Sequence, residues 1–272
     1  MRVVHRVMGI VNVTPDSFSD GGAFLDPRAA IAHGYELVAE GAAILDIGGE
    51  STRPGALPVA EDLELLRVVP VVAGLRDTGA QLSIDTTKLA VAEAALAAGA
   101  TLVNDVTALR YDPEIAGLVA DRGAELCLMH MLGEPRTMQD DPRYDDVVDD
   151  VRAFLEERLE VAVREGVKED RILLDPGIGF GKTVAHNLTL LGRLGELTTI
   201  GRPLVVGTSR KSFLGRIAGR DVADRLGGTI ATNVLALERG ASVFRVHDVA
   251  PVVDALAVAA ATLAGRWPTT TS

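Results

Sequence analysis

The chain has 272 residues, 47% of them hydrophobic but only 4% aromatic, with a formal net charge of −11 and a pI near 4.9. That balance excludes nucleic acid as the main partner, because no basic stripe exists to release counterions, while local positive charge still permits a small anionic ligand. There is no run of about 18 apolar residues and no charged leader before an apolar stretch, so the chain is expected to be soluble and cytoplasmic, without membrane contact.

In chain order, eight apolar runs read as strands with helical stretches between them, and nearly every run ends on a polar or charged residue. The first four are Val7–Val13 ending near Asn12, Ala43–Gly48 ending on Asp46 and Glu50, Leu82–Thr86 carrying Asp85, and Leu102–Val106 with Asn104 and Asp105. Then follow Leu126–Met131 with His130, Ile172–Gly177 with Asp175, Pro203–Thr208 running into Ser209 and Lys211, and Val243–Val249 with Arg245 and His247. Leu89–Ala98 and Asp254–Ala264 are examples of the Ala-rich helices between or after them. An interior of Ala, Val, Leu and Ile suits parallel strands buried on both faces. Eight such strands with crossover helices close into a barrel of about 250 residues. Residues 1–265 are therefore expected to form a single (β/α)8 TIM barrel, and 266–272 a disordered tail. Chemistry in such barrels gathers at the C-terminal ends of the strands, where these polar residues fall. Cys127, the single cysteine, lies inside an apolar run and reads as a small core residue.

Three segments are long for strand-to-helix connections, which usually run about 2–6 residues: Thr14–Leu25, Ser51–Glu61 and Gly133–Tyr144. Long loops on this face commonly act as lids or touch substrate. Gly133–Tyr144, taken alone, reads instead as a tolerated insertion. The acidic stretch Asp140–Asp150 ends it and opens a solvated helix with Val147, Val151, Phe154 and Leu155 on its apolar face.

Three groups carry chemistry. Asp85, Asn104 and Asp175, on the third, fourth and sixth strands, offer acceptors and donors suited to a flat heterocycle bearing amino, ring N–H and carbonyl groups. Arg53, Ser209, Arg210, Lys211, Arg245 and His247 form a cationic group, and the loops after strands seven and eight often bind phosphate in these barrels. Arg245 and His247 alternate along one run and so point to the same side. The third group, Asp175–Thr183, imitates a phosphate-binding P-loop but has Pro176 where that motif needs glycine. Its glycines are expected to turn the backbone tightly over a flat ligand, with Phe180 in apolar contact. The five histidines show no zinc-ligand spacing, so any metal is expected to be Mg²⁺ carried mostly by substrate phosphates.

Together these segments resemble the dihydropteroate synthase family across almost the whole chain. The resemblance rests on residues 8–22, beginning Met8-Gly9-Ile10-Val11-Asn12, and on Asp46-Ile47-Gly48-Gly49-Glu50-Ser51-Thr52-Arg53-Pro54-Gly55. It continues through Ser83-Ile84-Asp85-Thr86, Asn104-Asp105-Val106, Met129-His130-Met131, the Asp175 segment, Ser209-Arg210-Lys211-Ser212-Phe213 and Arg245-Val246-His247-Asp248.

The resemblance implies condensation of 6-hydroxymethyl-7,8-dihydropterin pyrophosphate with p-aminobenzoate in folate biosynthesis, in a homodimer that is a sulfonamide target. It implies that Asp85, Asn104, Asp175 and Lys211 hold the pterin edge while Met129, Phe180 and Gly207 line its faces. Asn12, Ser209, Arg245 and His247 would hold the pyrophosphate, with Mg²⁺ on Asn12. Phe18, Thr52, Arg53, Pro54, Lys211 and Ser212 would form the p-aminobenzoate pocket. Catalytic roles fall to Asp85, Asp175, Lys211, Arg245 and His247. One rival, a methyltetrahydrofolate-dependent corrinoid methyltransferase, would use the same acids but gives no reason for a pyrophosphate site. Another, a pterin-binding paralogue that has lost synthesis, would bind pterin without forming product.

Overall fold

The structure, a computed structural model, describes residues 5–14, 27–52, 55–134 and 136–265. Phe18, Arg53, Pro54 and the expected tail 266–272 lie outside the described residues.

The eight expected strands form β1 (Arg6–Asn12), β2 (Ile44–Gly48), β3 (Gln81–Asp85), β4 (Leu102–Asp105), β5 (Glu125–Met129), β6 (Ile172–Asp175), β7 (Val205–Val206) and β8 (Val243–Val246). They make one parallel sheet in the order β6-β5-β4-β3-β2-β1-β8-β7. The ring closes between β6 and β7 more thinly than elsewhere, through a Leu174–Leu204 bridge and a 3.0 Å hydrogen bond from the Leu174 N–H to the Pro203 carbonyl. The α-helices are α1 (Pro27–Ala39), α2 (Glu61–Leu75), α3 (Leu89–Ala98), α4 (Ile115–Arg122), α5 (Val147–Arg164), α6 (Val184–Gly192), α7 (Ser212–Ala218), α8 (Leu226–Glu238) and α9 (Val249–Ala264). The result is a nearly closed (β/α)8 barrel with one extra helix, α7, between β7 and α8. No helix among the described residues is long and apolar enough to cross a membrane.

Two residues per pleat explain how the barrel is filled. Met8, Ile44, Leu102, Cys127, Leu173, Val205 and Val243 form one buried apolar cluster inside the ring. The next inward-facing position on each of those strands is Ile10, Asp46, Asn104, Met129, Asp175, Gly207 or Arg245. An oily plug thus lies one pleat below a largely polar layer. The residues between them, such as Leu45, Ile47, Val103, Leu126, Leu128, Leu174 and Phe244, face outward and pack under the helices.

Several expected runs outlast their strands. β7 keeps only Val205–Val206 and β8 stops at Val246, because the residues beyond them turn to other partners; the His247 N–H, for instance, donates to Ser209 Oγ at 3.1 Å. The helix expected over Asp254–Ala264 already starts at Val249. Pro251 is harmless there, since first-turn N–H groups have no intrahelical acceptor. α5 begins where the apolar face was expected, with Asp146 capping it through the Val148 and Asp149 N–H groups.

Candidate active site

The polar layer opens into a cavity lined by Ile10, Thr52, Asp85, Asn104, Val106, Met129, Asp175, Phe180, Gly207, Ser209, Lys211, Arg245 and His247. Eleven of these were expected from sequence; Ile10 and Val106 were not, although Ile10 follows from the pleat, two residues after Met8. Asn12 is half-buried at the end of β1 and Ser212 is exposed at the start of α7, and neither lines the cavity. Arg210, grouped with the cations above, belongs to the scaffold instead. Its guanidinium pairs with Asp248, with Nε donating at 2.9 Å, and its left-handed backbone (φ 57°) lets its carbonyl accept from Arg225.

One side of the mouth is a closed ionic network. Arg245 on β8 donates through Nε to Asp46 at 2.6 Å and through a terminal nitrogen to Asp85 at 2.7 Å. Asp46 also accepts from Ser83 Oγ at 2.6 Å and Asn104 Nδ2 at 3.1 Å, and is completely buried. Burial pushes the Asp85 carboxyl up to about 7, outweighing the opposite pull of Arg245. Arg245 is held above its ordinary range: burial works against its charge, but Asp46 and Asp85 more than compensate. Sequence reading named Asp46 only as the end of a run; its signal was a carboxylate at an inward position in an otherwise apolar strand.

The opposite side carries similar charges without an ion pair. Among the described residues, neither Lys211 nor Lys182 comes within salt-bridge distance of a carboxylate. Lys211 donates to the Ile178 carbonyl and sits 4.6 Å from the Phe180 ring centroid. Burial pulls Lys211 down to about 8 despite the attraction of Asp175. Asp175 is itself raised by burial, with Lys211 and the Gly177 N–H, 2.7 Å from Oδ1, opposing. Behind them Lys182 donates to the Phe180 carbonyl at 3.0 Å and meets His130 Nδ1 at 2.8 Å. Burial lowers Lys182 well below its usual range, and burial with the Lys182 charge holds His130 down to about 2.

Two glycines of residues 175–183 are required by the chain packed against them. Gly177 and Gly181 have φ of 66° and 62°, and a Cβ on them would lie 1.8 Å from the His130 carbonyl oxygen and 2.7 Å from Leu132 Cβ. They let this loop pass against the chain after β5, while a Cβ on Gly179, φ 86°, would meet Lys211 Cδ of the cavity at 2.9 Å. Gly133–Tyr144 is likewise no mere insertion. Met138 is buried with Val106, Met129 and Met131 against Phe180. Gln139 Nε2 and Tyr144 Oη each donate, at 2.7 Å, to the carbonyls of Gly179 and Gly181. This loop supports the wall that carries Phe180.

At the rim, the Ser209 hydroxyl oxygen accepts the His247 N–H and lies 3.0 Å from His247 Nδ1, so its proton can go to that ring nitrogen and leave Nε2 as the N–H side. Below Thr52, Lys88 bridges Glu50 and Glu64, and Thr86 Oγ1 donates to Glu64 at 2.8 Å, tying the start of the second long loop to α2 and α3. Among the described residues no group of three or more His, Cys, Asp and Glu could hold a metal ion.

The model of a family described as pterin binding enzyme matches residues 8–247. A dihydropteroate synthase of Mycobacterium leprae is 49% identical over 95% of this chain and 93% of its own length. The Yersinia pestis dihydropteroate synthase, solved as a sulfonamide drug complex, superposes with a TM-score of 0.92 at 44% identity, covering 97% of this chain and 96% of that one. The Xanthomonas albilineans enzyme, solved with 4-aminobenzoic acid, gives 0.90 at 51% identity, covering 96% and 93%.

Proposed function

The chain belongs to the dihydropteroate synthase family of pterin-binding enzymes, transferases that join 6-hydroxymethyl-7,8-dihydropterin pyrophosphate to p-aminobenzoate, and we propose how its residues divide that work. Asp85, Asn104, Asp175 and Lys211 hold the pterin edge, with Met129, Phe180 and Gly207 against its faces. Ser209, Arg245 and His247 take the pyrophosphate. Thr52, Arg53, Pro54, Phe18, Ser212 and Lys211 form the p-aminobenzoate pocket. The observation that carries this division is the cavity itself: acids and an amide from β3, β4 and β6 line one opening together with cations and a hydroxyl from the β7 and β8 side.

The charge layout suits a dissociative displacement. As the methylene C–O bond breaks, its electron pair leaves with pyrophosphate and a cation conjugated with the dihydropterin ring remains. Asp175 and Asp85 place carboxyl oxygens beside the ring, while Arg245 offers positive charge and the Nε2–H of His247 a hydrogen bond beside the leaving group. The neutral aniline nitrogen of p-aminobenzoate then attacks the methylene, forms the C–N bond and sheds a proton. It needs no dedicated base.

Mg²⁺ fits this layout with one protein ligand. The half-buried Asn12 amide makes no hydrogen bond among the described residues, and its oxygen would be the hard donor that ion prefers beside pyrophosphate oxygens. When bound, the ion neutralises part of the leaving group's charge. A second copy of the chain covers α7, α8 and α9, where Ile217, Leu235, Val258 and Leu263 are exposed and α9 has Asp254 as its one charged residue. Sulfonamides, as p-aminobenzoate analogues, compete for the second pocket, as the Yersinia pestis complex suggests. The enzyme works in the cytoplasm, where Cys127, buried and with its thiol pKa pushed up by burial, stays reduced.

The test is pyrophosphate release from dihydropterin pyrophosphate, with and without p-aminobenzoate. Release should track dihydropteroate formation, stop on chelation and return with Mg²⁺. Pterin binding without product would favour the paralogue that has lost synthesis. Unchanged turnover in a chelator would remove the metal.

A further inference from the structure

We propose that Asp46 is a positioning residue that sets the hydrogen-bond polarity of the pterin pocket, by turning the Asn104 amide so that its carbonyl oxygen faces the substrate. The inference rests on the reading above that Asn104 meets the pterin, and it adds the reason for substrate choice.

Asp46 does not line the cavity, yet it holds two residues that do. Its Oδ1 accepts from Ser83, and its Oδ2 from Asn104 Nδ2 and Arg245 Nε, so donors from β3, β4 and β8 converge on one fully buried carboxylate of β2. A carboxylate beside a guanidinium can only accept. The Asn104 side chain must therefore turn its NH2 toward Asp46, since the reverse rotamer would set two oxygens against each other. Asn104 Oδ1 has no hydrogen-bond partner among the described residues and is not sealed from solvent, which leaves it open to the cavity that Asn104 lines.

The consequence is a pocket wall on which Asp85, Asn104 and Asp175 all offer oxygen acceptors. The ring edge it meets must bring N–H groups, as the amino and ring N–H groups of a pterin do. A pteridine carrying a carbonyl in place of the 2-amino group would set oxygen against oxygen and leave buried acceptors unpaired. Asp46→Asn removes the constraint. An amide at this position can donate, so Asn104 can rotate and show its NH2 to the cavity.

Equilibrium binding of 6-hydroxymethyl-7,8-dihydropterin pyrophosphate and of its 2-oxo analogue, to wild type and Asp46→Asn, separates this from a merely structural role. Wild type should prefer the pterin, and the variant should lose on the order of 10-fold or more of that preference, mainly by weaker pterin binding. Equal weakening of both ligands, or an unchanged ratio, would overturn the proposal. A readout that needs no folded variant is the side-chain amide of Asn104 in the ¹⁵N NMR spectrum of wild type. Its NH2 protons should exchange slowly without ligand, and rapid exchange would place them in the open cavity and sink the idea. Asn104→Ala tests the underlying assignment separately: unchanged pterin affinity there would show that Asn104 does not meet the pterin at all.

Discussion

The two sides of the barrel mouth use similar charges in opposite ways. On the β2, β3 and β8 side, Arg245 lies within 2.7 Å of both Asp46 and Asp85, and the three need no ligand to be neutralised. On the β5, β6 and β7 side, the buried Asp175 and Lys182 and the half-buried Lys211 have carbonyls, an imidazole and ring faces as neighbours. The first side is assembled in advance; the second stores unpaired charge that a polar ligand can satisfy. Rigidity on the second side comes from backbone packing, through Gly177, Gly181 and the Met138 loop, where the first side uses ion pairs.

The largest effect should come from breaking the closed side. Arg245→Met leaves two buried carboxylates unpaired, so a loss of about 3–5 kcal/mol in urea unfolding is expected, together with activity. A variant as stable as wild type would mean the network contributes little. Gly177→Ala attacks the packed side: the added Cβ would sit 1.8 Å from a carbonyl oxygen at φ 66°, which should cost roughly 2 kcal/mol or more and weaken pterin binding. If thermal unfolding and pterin affinity both stay at wild-type values, the loop is less constrained than its geometry implies.

Asp175→Asn should spare the fold, because the amide oxygen can still accept the Gly177 N–H, but pterin binding should fall by about 2–3 kcal/mol, roughly 30- to 150-fold. Unchanged affinity by calorimetry would remove Asp175 from the pterin site.

Two pH effects complete the comparison. Asp85 keeps its proton up to about 7 in the folded state against an ordinary 3.8, so its contribution to stability is fully present below about pH 4 and is lost as pH rises through 7. The part of the stability profile that disappears in Asp85→Asn should show this descending limb. Lys211, lowered to about 8, should give kcat/KM an alkaline limb near that pH, and Lys211→Arg should remove it. A limb that survives the exchange belongs to another group.

Much of this was legible residue by residue. The polar ends of Leu102–Val106 and Ile172–Gly177 marked Asn104 and Asp175, because one pleat separates an oily position from a functional one. The helix at Leu89–Ala98 matched α3. Asp46 and Lys182 were missed as members of the site's charge networks: the inward position of Asp46 was legible, but neither a carboxylate inside a strand nor a lysine after a glycine run names its partner. Their partners lie far away in sequence: Arg245 is 199 residues from Asp46, and His130 is 52 from Lys182. Local pattern cannot pair residues at such separations. Gly133–Tyr144 was misread for the same reason, because Met138 and Tyr144 acquire their roles only against the Gly179–Gly181 backbone.

By itself the sequence determined the repeated strand–helix unit, the barrel and the chemical character of its mouth, because periodicity and residue type are local properties. Tertiary structure decided which charges meet. Closing the ring brings β2 and β8 to either side of β1, so Arg245 reaches Asp46 and Asp85, while Lys211 and Lys182 have no carboxylate partner among the described residues. That difference follows from distances across the barrel, which no run along the chain contains.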